Sequence, residues 1–302
     1  MEKLVFDFPL NEQQKKQKEE LVLRLKKEPL ILRWLQENHL SLDFIDEHAM
    51  KLNEWLKLLE PCIGCKGLKE CRQPSKGLLY QLSYDGFLDL QRISCKFLKK
   101  YDQEHEHLKY YMLEPISDKL AMVGIDRIDF SKENKDYLAL TTFIMKTLVD
   151  GKKGIYLYGA PGVGKTYLGA CITNYFARLN RKVAFVNVSD LISKMKMNLN
   201  DAEANQRMMK VLKKVDVLLM DDIGGESVSA WSRDEILVPI LNERMENHRL
   251  TFFTSNYNLK ELEEHLALDS RGNIDVIKAN RLIVRIKALT FEKNVKGRDR
   301  RV

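Results

Sequence analysis

The chain has 302 residues, 50 Lys plus Arg against 43 Asp plus Glu, a net charge of +7, 44% hydrophobic and 31% charged residues, and a mean hydropathy of -0.35. That balance excludes disorder over the whole length, and the length suggests two domains, each able to bury a core. No stretch reaches the ~20 uncharged apolar residues of a membrane helix and the first residues lack a signal-peptide core, so the sequence reads as cytoplasmic, with no membrane partner and with its cysteines reduced.

In chain order, the first hundred residues read as mostly helical. Asn11 with Gln14 three residues on predicts a capping box at the start of a charged helix, which runs until Pro29 starts a second helix. That second helix, 29–38, carries Leu30, Ile31, Trp34 and Leu35. Ser41 is the expected N-cap of a third, with Leu42, Ile45, Ala49, Leu52, Trp55, Leu56 and Leu59 at three- and four-residue spacing. After Pro61 the periodicity gives way to a Gly- and Cys-containing stretch and short strand-like runs up to Phe97. A charged segment follows. The expected domains are therefore 1–98, a linker at 99–111, and 112–302.

Cys62, Cys65, Cys71 and Cys95 offer four thiolates to one ion, with Gly64 and Gly67 permitting the tight turn between them. Soft ligands at this spacing predict a closed, tetrahedral, structural Zn²⁺ site. An all-cysteine set is favoured because no His lies between Cys62 and Cys95; a Cys3His set would draw on His105 or His107. Cys171, among Leu168, Ala170 and Ile172, reads as a core thiol.

From Gly154 onward, apolar runs at Ile155–Tyr158, Val183–Val188, Val217–Met220, Thr251–Thr254 and Ala288–Phe291 alternate with helical patterns. Five such runs predict an α/β domain on a parallel sheet, whose ligands bind at the carboxyl ends of the strands. Directly after the first run stands Gly159-Ala160-Pro161-Gly162-Val163-Gly164-Lys165-Thr166, a complete P-loop in the strand-loop-helix context. Its glycines let backbone N–H groups curl around phosphates, and the following helix adds its positive end. Lys165 is the expected β- and γ-phosphate contact and Thr166 a Mg²⁺ ligand. Tyr167 completes the nucleotide-contacting stretch.

The run Val217–Met220 ends in Asp221-Asp222, where a P-loop NTPase completes its magnesium site. Asp221 is the expected Mg²⁺ holder. Asp222 occupies the place of a carboxylate that orients or deprotonates the attacking water, and is one methylene shorter than a Glu. The run Thr251–Thr254 ends in Ser255-Asn256. An amide at the end of a strand between the P-loop strand and the Asp221 strand can reach both γ-phosphate and water, which makes Asn256 a candidate sensor.

The basic excess is local. Residues 278–302 hold nine Lys or Arg and two Asp or Glu, leaving 41 against 41 elsewhere. Within this tail Arg281 and Arg285 lie at i and i+4 of a helical segment, on one face.

P-loop, Asp-Asp and Ser-Asn at these spacings resemble the AAA+ ATPases. The runs MDDIGGESVSAWSRDE (220–235) and RGNIDVIKANRLIVRIKAL (271–289), with the cysteine region, look like the primosomal helicase loaders of the DnaC/DnaI branch, DnaI type. The resemblance covers the whole chain and implies an AAA+ P-loop domain with a five-stranded parallel sheet and no lid subdomain, only eleven residues following Phe291, preceded by a small, mostly helical zinc-binding domain. It implies a protein that binds the hexameric, DnaB-type replicative helicase and delivers it onto single-stranded DNA during replication initiation and restart, with other primosomal proteins. It implies ATP hydrolysis that is slow alone and stimulated in a self-associated complex. Arg285 aligns with the family's trans-acting arginine finger. Arg300 lies near the family's second sensor, with Arg298 and Arg301 as neighbouring alternatives. Lys194 and Lys196 fall where loaders present a DNA-facing helix, while Trp231, Phe252 and Phe253 read as core. The alternative within the same ATPase group is a transposase helper of the IstB type.

Overall fold

The structure, a computed structural model, describes residues 11–114, 116–198, 200–225, 229–268 and 274–300. It divides into two compact units, one ending at Gln103 and one beginning at Glu104.

The first unit is built from α1 (Glu12–Leu25), α2 (Pro29–Glu37) and α3 (Phe44–Leu59), followed by the antiparallel hairpin β1 (Leu78–Tyr84) and β2 (Leu88–Ser94) and by α4 (Lys96–His105). The Asn11/Gln14 capping box is formed. The N-cap of α3 is Asp43 rather than Ser41, because the Ser41 carbonyl is used by Phe44 N–H in a preceding turn. Leu42 therefore lies before the helix and is 52% exposed. One core joins Leu25, Ile31, Trp34, Leu35, Ile45, Leu52 and Trp55 to Leu82 and Leu88 of the hairpin. Trp55 donates its indole N–H to the Tyr80 carbonyl at 2.9 Å, which satisfies the one polar atom of a buried ring.

The boundary between the units, at Gln103 and Glu104, lies inside the segment 99–111 expected as a linker, and the segment is helical. α4 runs through it into a 3₁₀ turn, Glu106–Tyr110. Its charges belong to an exposed helix face, and Tyr111 at its end is buried, bridging to Val183.

The second unit contains α5 (Asp118–Ala121), α6 (Lys135–Asp150), β3 (Gly154–Tyr158), α7 (Lys165–Arg178), β4 (Val183–Asn187), α8 (Val188–Met197), α9 (Ala202–Lys214), β5 (Val217–Asp221), α10 (Val238–Glu246), β6 (Leu250–Ser255), α11 (Leu259–Ala267), α12 (Val276–Leu289) and β7 (Thr290–Asn294). The strands form one all-parallel five-stranded sheet in the order β4-β5-β6-β3-β7. The last strand starts at Thr290, not Ala288, because α12 continues to Leu289.

Alternate residues of each central strand enter cores on opposite faces. Ile155, Leu157, Val217, Leu219 and Phe252 pack with α6 and α7, while Tyr156, Leu218, Met220 and Phe253 pack with α8 to α12. Burial on both faces explains why these strands read as continuous apolar runs rather than alternating ones. Cys171 and the Phe252–Phe253 pair are core, as expected, and Trp231 is partly buried against the second cluster. Burial pushes the Cys171 thiol up to about 12, so it is chemically inert. Among the described residues, no helix is long and apolar enough to cross a membrane.

Candidate nucleotide-binding site

The loop after β3 turns back on itself because glycine permits it. Gly162 has φ +85° and Gly164, the N-cap of α7, has φ +97°, both in the left-handed region. A Cβ on Gly162 would also lie 2.0 Å from the Asp299 carboxylate. The loop, the start of α7 and the carboxyl ends of β4, β5 and β6 enclose a cavity of about 760 Å³. Gly162, Gly164, Lys165, Thr166, Tyr167, Asp221, Asp222, Asn256, Arg298 and Arg300 line it. N–H groups at a helix N-terminus beside a buried lysine can hold a polyphosphate.

Lys165 is 8% exposed. Its Nζ donates to the Gly159 and Ala160 carbonyls at 2.8 and 2.9 Å and to Asn256 Oδ1 at 2.8 Å. Asn256 in turn donates from Nδ2 to Asp222 Oδ1 at 3.1 Å. Lysine, amide and carboxylate are thus one hydrogen-bonded chain across three strand ends. This is possible because β6 lies between β5 and β3, the strand position expected for Asn256.

The Thr166 hydroxyl meets both Asp221 carboxylate oxygens, at 3.0 and 3.1 Å. Hydroxyl and carboxylate oxygens at a P-loop are a hard donor set that fits Mg²⁺. Burial pushes the Asp221 carboxyl above its ordinary range, opposed by hydrogen bonds from Thr254 and Thr166 that favour the charged form.

The chain after β7 returns over the loop. Val295 N–H donates to the Tyr158 carbonyl at 2.7 Å and Arg300 N–H to the Gly162 carbonyl at 3.0 Å. Arg300 Nε donates to the Val163 carbonyl at 3.1 Å, and its two terminal nitrogens meet the Glu133 carboxylate. Arg298 lines the cavity too; Arg301 lies outside the described residues, as do 226–228 and 271–273 of the two signature runs.

Arg285 is not among the residues lining this cavity. On α12 it donates to Asn242 and to the Arg281 carbonyl, with Arg281 itself exposed. Lys194 and Lys196 are exposed on α8, Lys194 paired with Glu114 at 2.5 Å.

The cysteines are not gathered into the expected zinc site. Among the described residues, no three Cys, His, Asp or Glu side chains are placed to hold a metal ion. Each thiol has a hydrogen-bond partner of its own. Cys62 Sγ accepts from Gln73 Nε2 at 3.2 Å, Cys65 donates to the Gly67 carbonyl, Cys71 accepts from Gly77 N–H at 3.4 Å, and Cys95 accepts from Leu98 N–H. The N–H groups of Gly77 and Gln73 hold the Cys71 thiol below its usual range. His107 is not a substitute ligand, since its ring nitrogens face the carbonyls of Glu104 and Ala121.

The cavity also draws on residues the sequence did not single out: Arg127, Asp129, Glu133, Tyr137, Asn187 and Thr254. Thr254 had a weak signal, a hydroxyl closing the strand-like run next to Ser255. Glu133, in an irregular segment before α6, had none.

Residues 99–283 match the family model for IstB-like ATP-binding proteins. The replicative helicase loader DnaI of Bacillus subtilis (strain 168) is 30% identical over 292 residues, covering 95% of this chain and 94% of its own. The replicative helicase loader DnaC of Escherichia coli (strain K12) is 29% identical over 119 residues, 39% of this chain and 48% of its own. A crystal structure of DnaI is similar with a TM-score of 0.53 at 33% identity, over 60% of this chain and 95% of that one. The chain belongs to the IstB-like ATP-binding family and, within it, to the DnaI-type replicative helicase loaders.

Proposed function

We propose that this protein is an ATP-switched loader that binds the hexameric, DnaB-type replicative helicase and delivers it onto single-stranded DNA in the cytoplasm, with other primosomal proteins. The observation that carries this reading is a likeness to a named helicase loader that runs through both units, 95% of the chain, rather than through the ATPase unit alone. The IstB-type reading explains only 99–283 and leaves the first unit without a role.

In this reading the loop N–H groups and Lys165 bind the phosphates, and Arg300 senses the nucleotide from the C-terminal segment. Thr166 and Asp221 hold Mg²⁺, which when bound neutralises phosphate charge. Asp222 orients the attacking water with Asn256, and Arg285 acts on a neighbouring subunit's nucleotide. Because that arginine comes from another chain, the isolated protein hydrolyses ATP slowly and the assembled complex faster. Lys194 and Lys196 supply cations for the DNA backbone.

Zinc in the first unit rests on the Cys62, Cys65, Cys71 and Cys95 spacing and on N–H donors at Cys71 and Cys95, which suit thiolates. Metal analysis giving one zinc per chain, lost in Cys62→Ser, supports it; metal-free protein that still binds helicase removes it.

The test of the whole is light scattering on the size-exclusion eluate of this protein mixed with the helicase of the same source, with and without ATP. A complex containing a helicase hexamer is the expected result. If none forms while ATP binds, the loader reading fails and the transposase-helper reading takes its place.

A further inference from the structure

Thr254 stands at the end of β6, 1% exposed, and is tied to both residues of the Asp-Asp pair. Its hydroxyl lies 2.6 Å from Asp221 Oδ1 and 2.9 Å from the Asp222 backbone nitrogen. The direction of these bonds is fixed by chemistry. A backbone N–H can only donate, so Thr254 Oγ1 accepts from Asp222, and its single hydrogen is left for the carboxylate of Asp221.

The Asp222 end of this arrangement is a left-handed backbone turn. Asp222 has φ +57°, a conformation that residues with a Cβ disfavour. The end of β6 holds it there: besides the Thr254 hydroxyl, the Thr254 carbonyl accepts from Ile223 N–H at 2.9 Å and Ser255 Oγ donates to the Ile223 carbonyl at 2.6 Å. That backbone turn is what aims the Asp222 carboxylate at Asn256.

At the Asp221 end, two hydroxyls share one buried carboxylate. In the reading proposed above the Thr166 hydroxyl would be a ligand of the magnesium ion. Thr254, 1% exposed, holds Oδ1 of that carboxylate from the strand side. The Thr254 methyl has a separate role, facing Gly169 of α7, where an added Cβ would lie 3.5 Å from it.

We propose that Thr254 is a positioning residue of the ATPase site. Its hydroxyl sets the orientation of Asp221 toward magnesium and the backbone turn that presents Asp222, so the magnesium-dependent part of nucleotide affinity depends on that hydroxyl. The proposal rests on the nucleotide-site reading above.

The test separates hydroxyl from methyl. Thr254→Val keeps shape and methyl; Thr254→Ser keeps the hydroxyl. A fluorescent ATP analogue is titrated into each full-length variant in EDTA and across a magnesium series, and turnover is then measured in the helicase complex. For Thr254→Val the EDTA affinity should match wild type, while the magnesium needed for half its effect rises about ten-fold or more, the size of losing one hydrogen bond to a charged group. Turnover at saturating nucleotide should fall without a matching rise in KM, and Thr254→Ser should restore both. A valine variant with wild-type magnesium dependence overturns the proposal, as does a serine variant as impaired as the valine one. Should the valine variant not fold, Thr254→Ala against Thr254→Ser, both lacking the methyl, makes the same comparison. Wild-type protein whose nucleotide affinity ignores magnesium overturns the site reading itself, and this inference with it.

Discussion

Glu133 and Arg300 form a bidentate ion pair, both oxygen-to-nitrogen distances 2.7 Å, joining the segment before α6 to the chain that returns over the P-loop. The same guanidinium lies 4.3 Å from the centre of the Tyr137 ring, so it is held in one plane by a fork and a stacking face. Its hydrogen bonds to Glu133 hold that carboxyl below its ordinary value of 4.5. A carboxylate lowered in the folded state contributes stability that is present above the unfolded-state value and lost as the pH falls through the folded one. Glu133→Gln should therefore unfold at lower temperature than wild type at pH 7, and the difference should shrink as the pH is taken below about 4.5. Thermal unfolding across that range checks it; a gap that persists undiminished in acid would mean the pair does not carry the effect.

Lys165 gathers two loop carbonyls and Asn256, and a buried ammonium with such partners is where polyphosphate would be received. Lys165→Ala should abolish nucleotide binding while leaving both units folded. Filter binding or fluorescence titration with ATP reads this directly, and an unchanged affinity would refute the phosphate site.

Arg285 points to a different outcome because it is engaged with Asn242 and the Arg281 carbonyl, outside the cavity of its own chain. Arg285→Ala should leave nucleotide affinity nearly intact and lower turnover only in the assembled complex. Arginines acting this way contribute ~10³ to 10⁵ in rate in GTPases. Normal turnover in the complex would remove it as the trans-acting group.

The residues that were legible in the sequence are those whose chemistry is set by local order. The Asn11/Gln14 box, the glycines of 159–164 and the Asp221-Asp222 pair each depend on neighbours a few positions away, and each was readable. Asn256 was readable one step further, from an amide directly after an apolar strand-like run in a chain that already carries the P-loop and the Asp-Asp pair. Glu133 was not: its partner is 167 residues later and nothing near it in sequence distinguishes it from other surface acids. The helical form of 99–111 was not legible either, since a charged run is equally the signature of an irregular connection and of a solvated helix.

Arg244 offers the sharpest test of what holds the ATPase unit together. It is fully buried, and its described hydrogen bonds all go to uncharged oxygens: Nε to Thr251 Oγ1 at 2.8 Å, Nη1 to the Leu212 and Val215 carbonyls at 2.9 and 3.0 Å, and Nη2 to the Leu250 carbonyl at 2.6 Å. Two of those carbonyls belong to the end of α9 and the residue just after it, where the helix has unsatisfied acceptors and a negative dipole end that favours a cation. The third opens β6. One side chain thus closes the corner from which β5 and β6 set out toward Asp221 and Thr254. Arg244→Ala orphans three buried carbonyls, each worth about 1 to 3 kcal/mol if left unpaired, so the unit should lose at least about 3 kcal/mol of stability. Arg244→Lys should recover little of it, because a single ammonium cannot span acceptors that a planar five-donor fork reaches together. Denaturant unfolding of the two variants measures this, and a loss below about 1 kcal/mol in the alanine variant would show that water takes over the carbonyls and that the corner is held by packing alone.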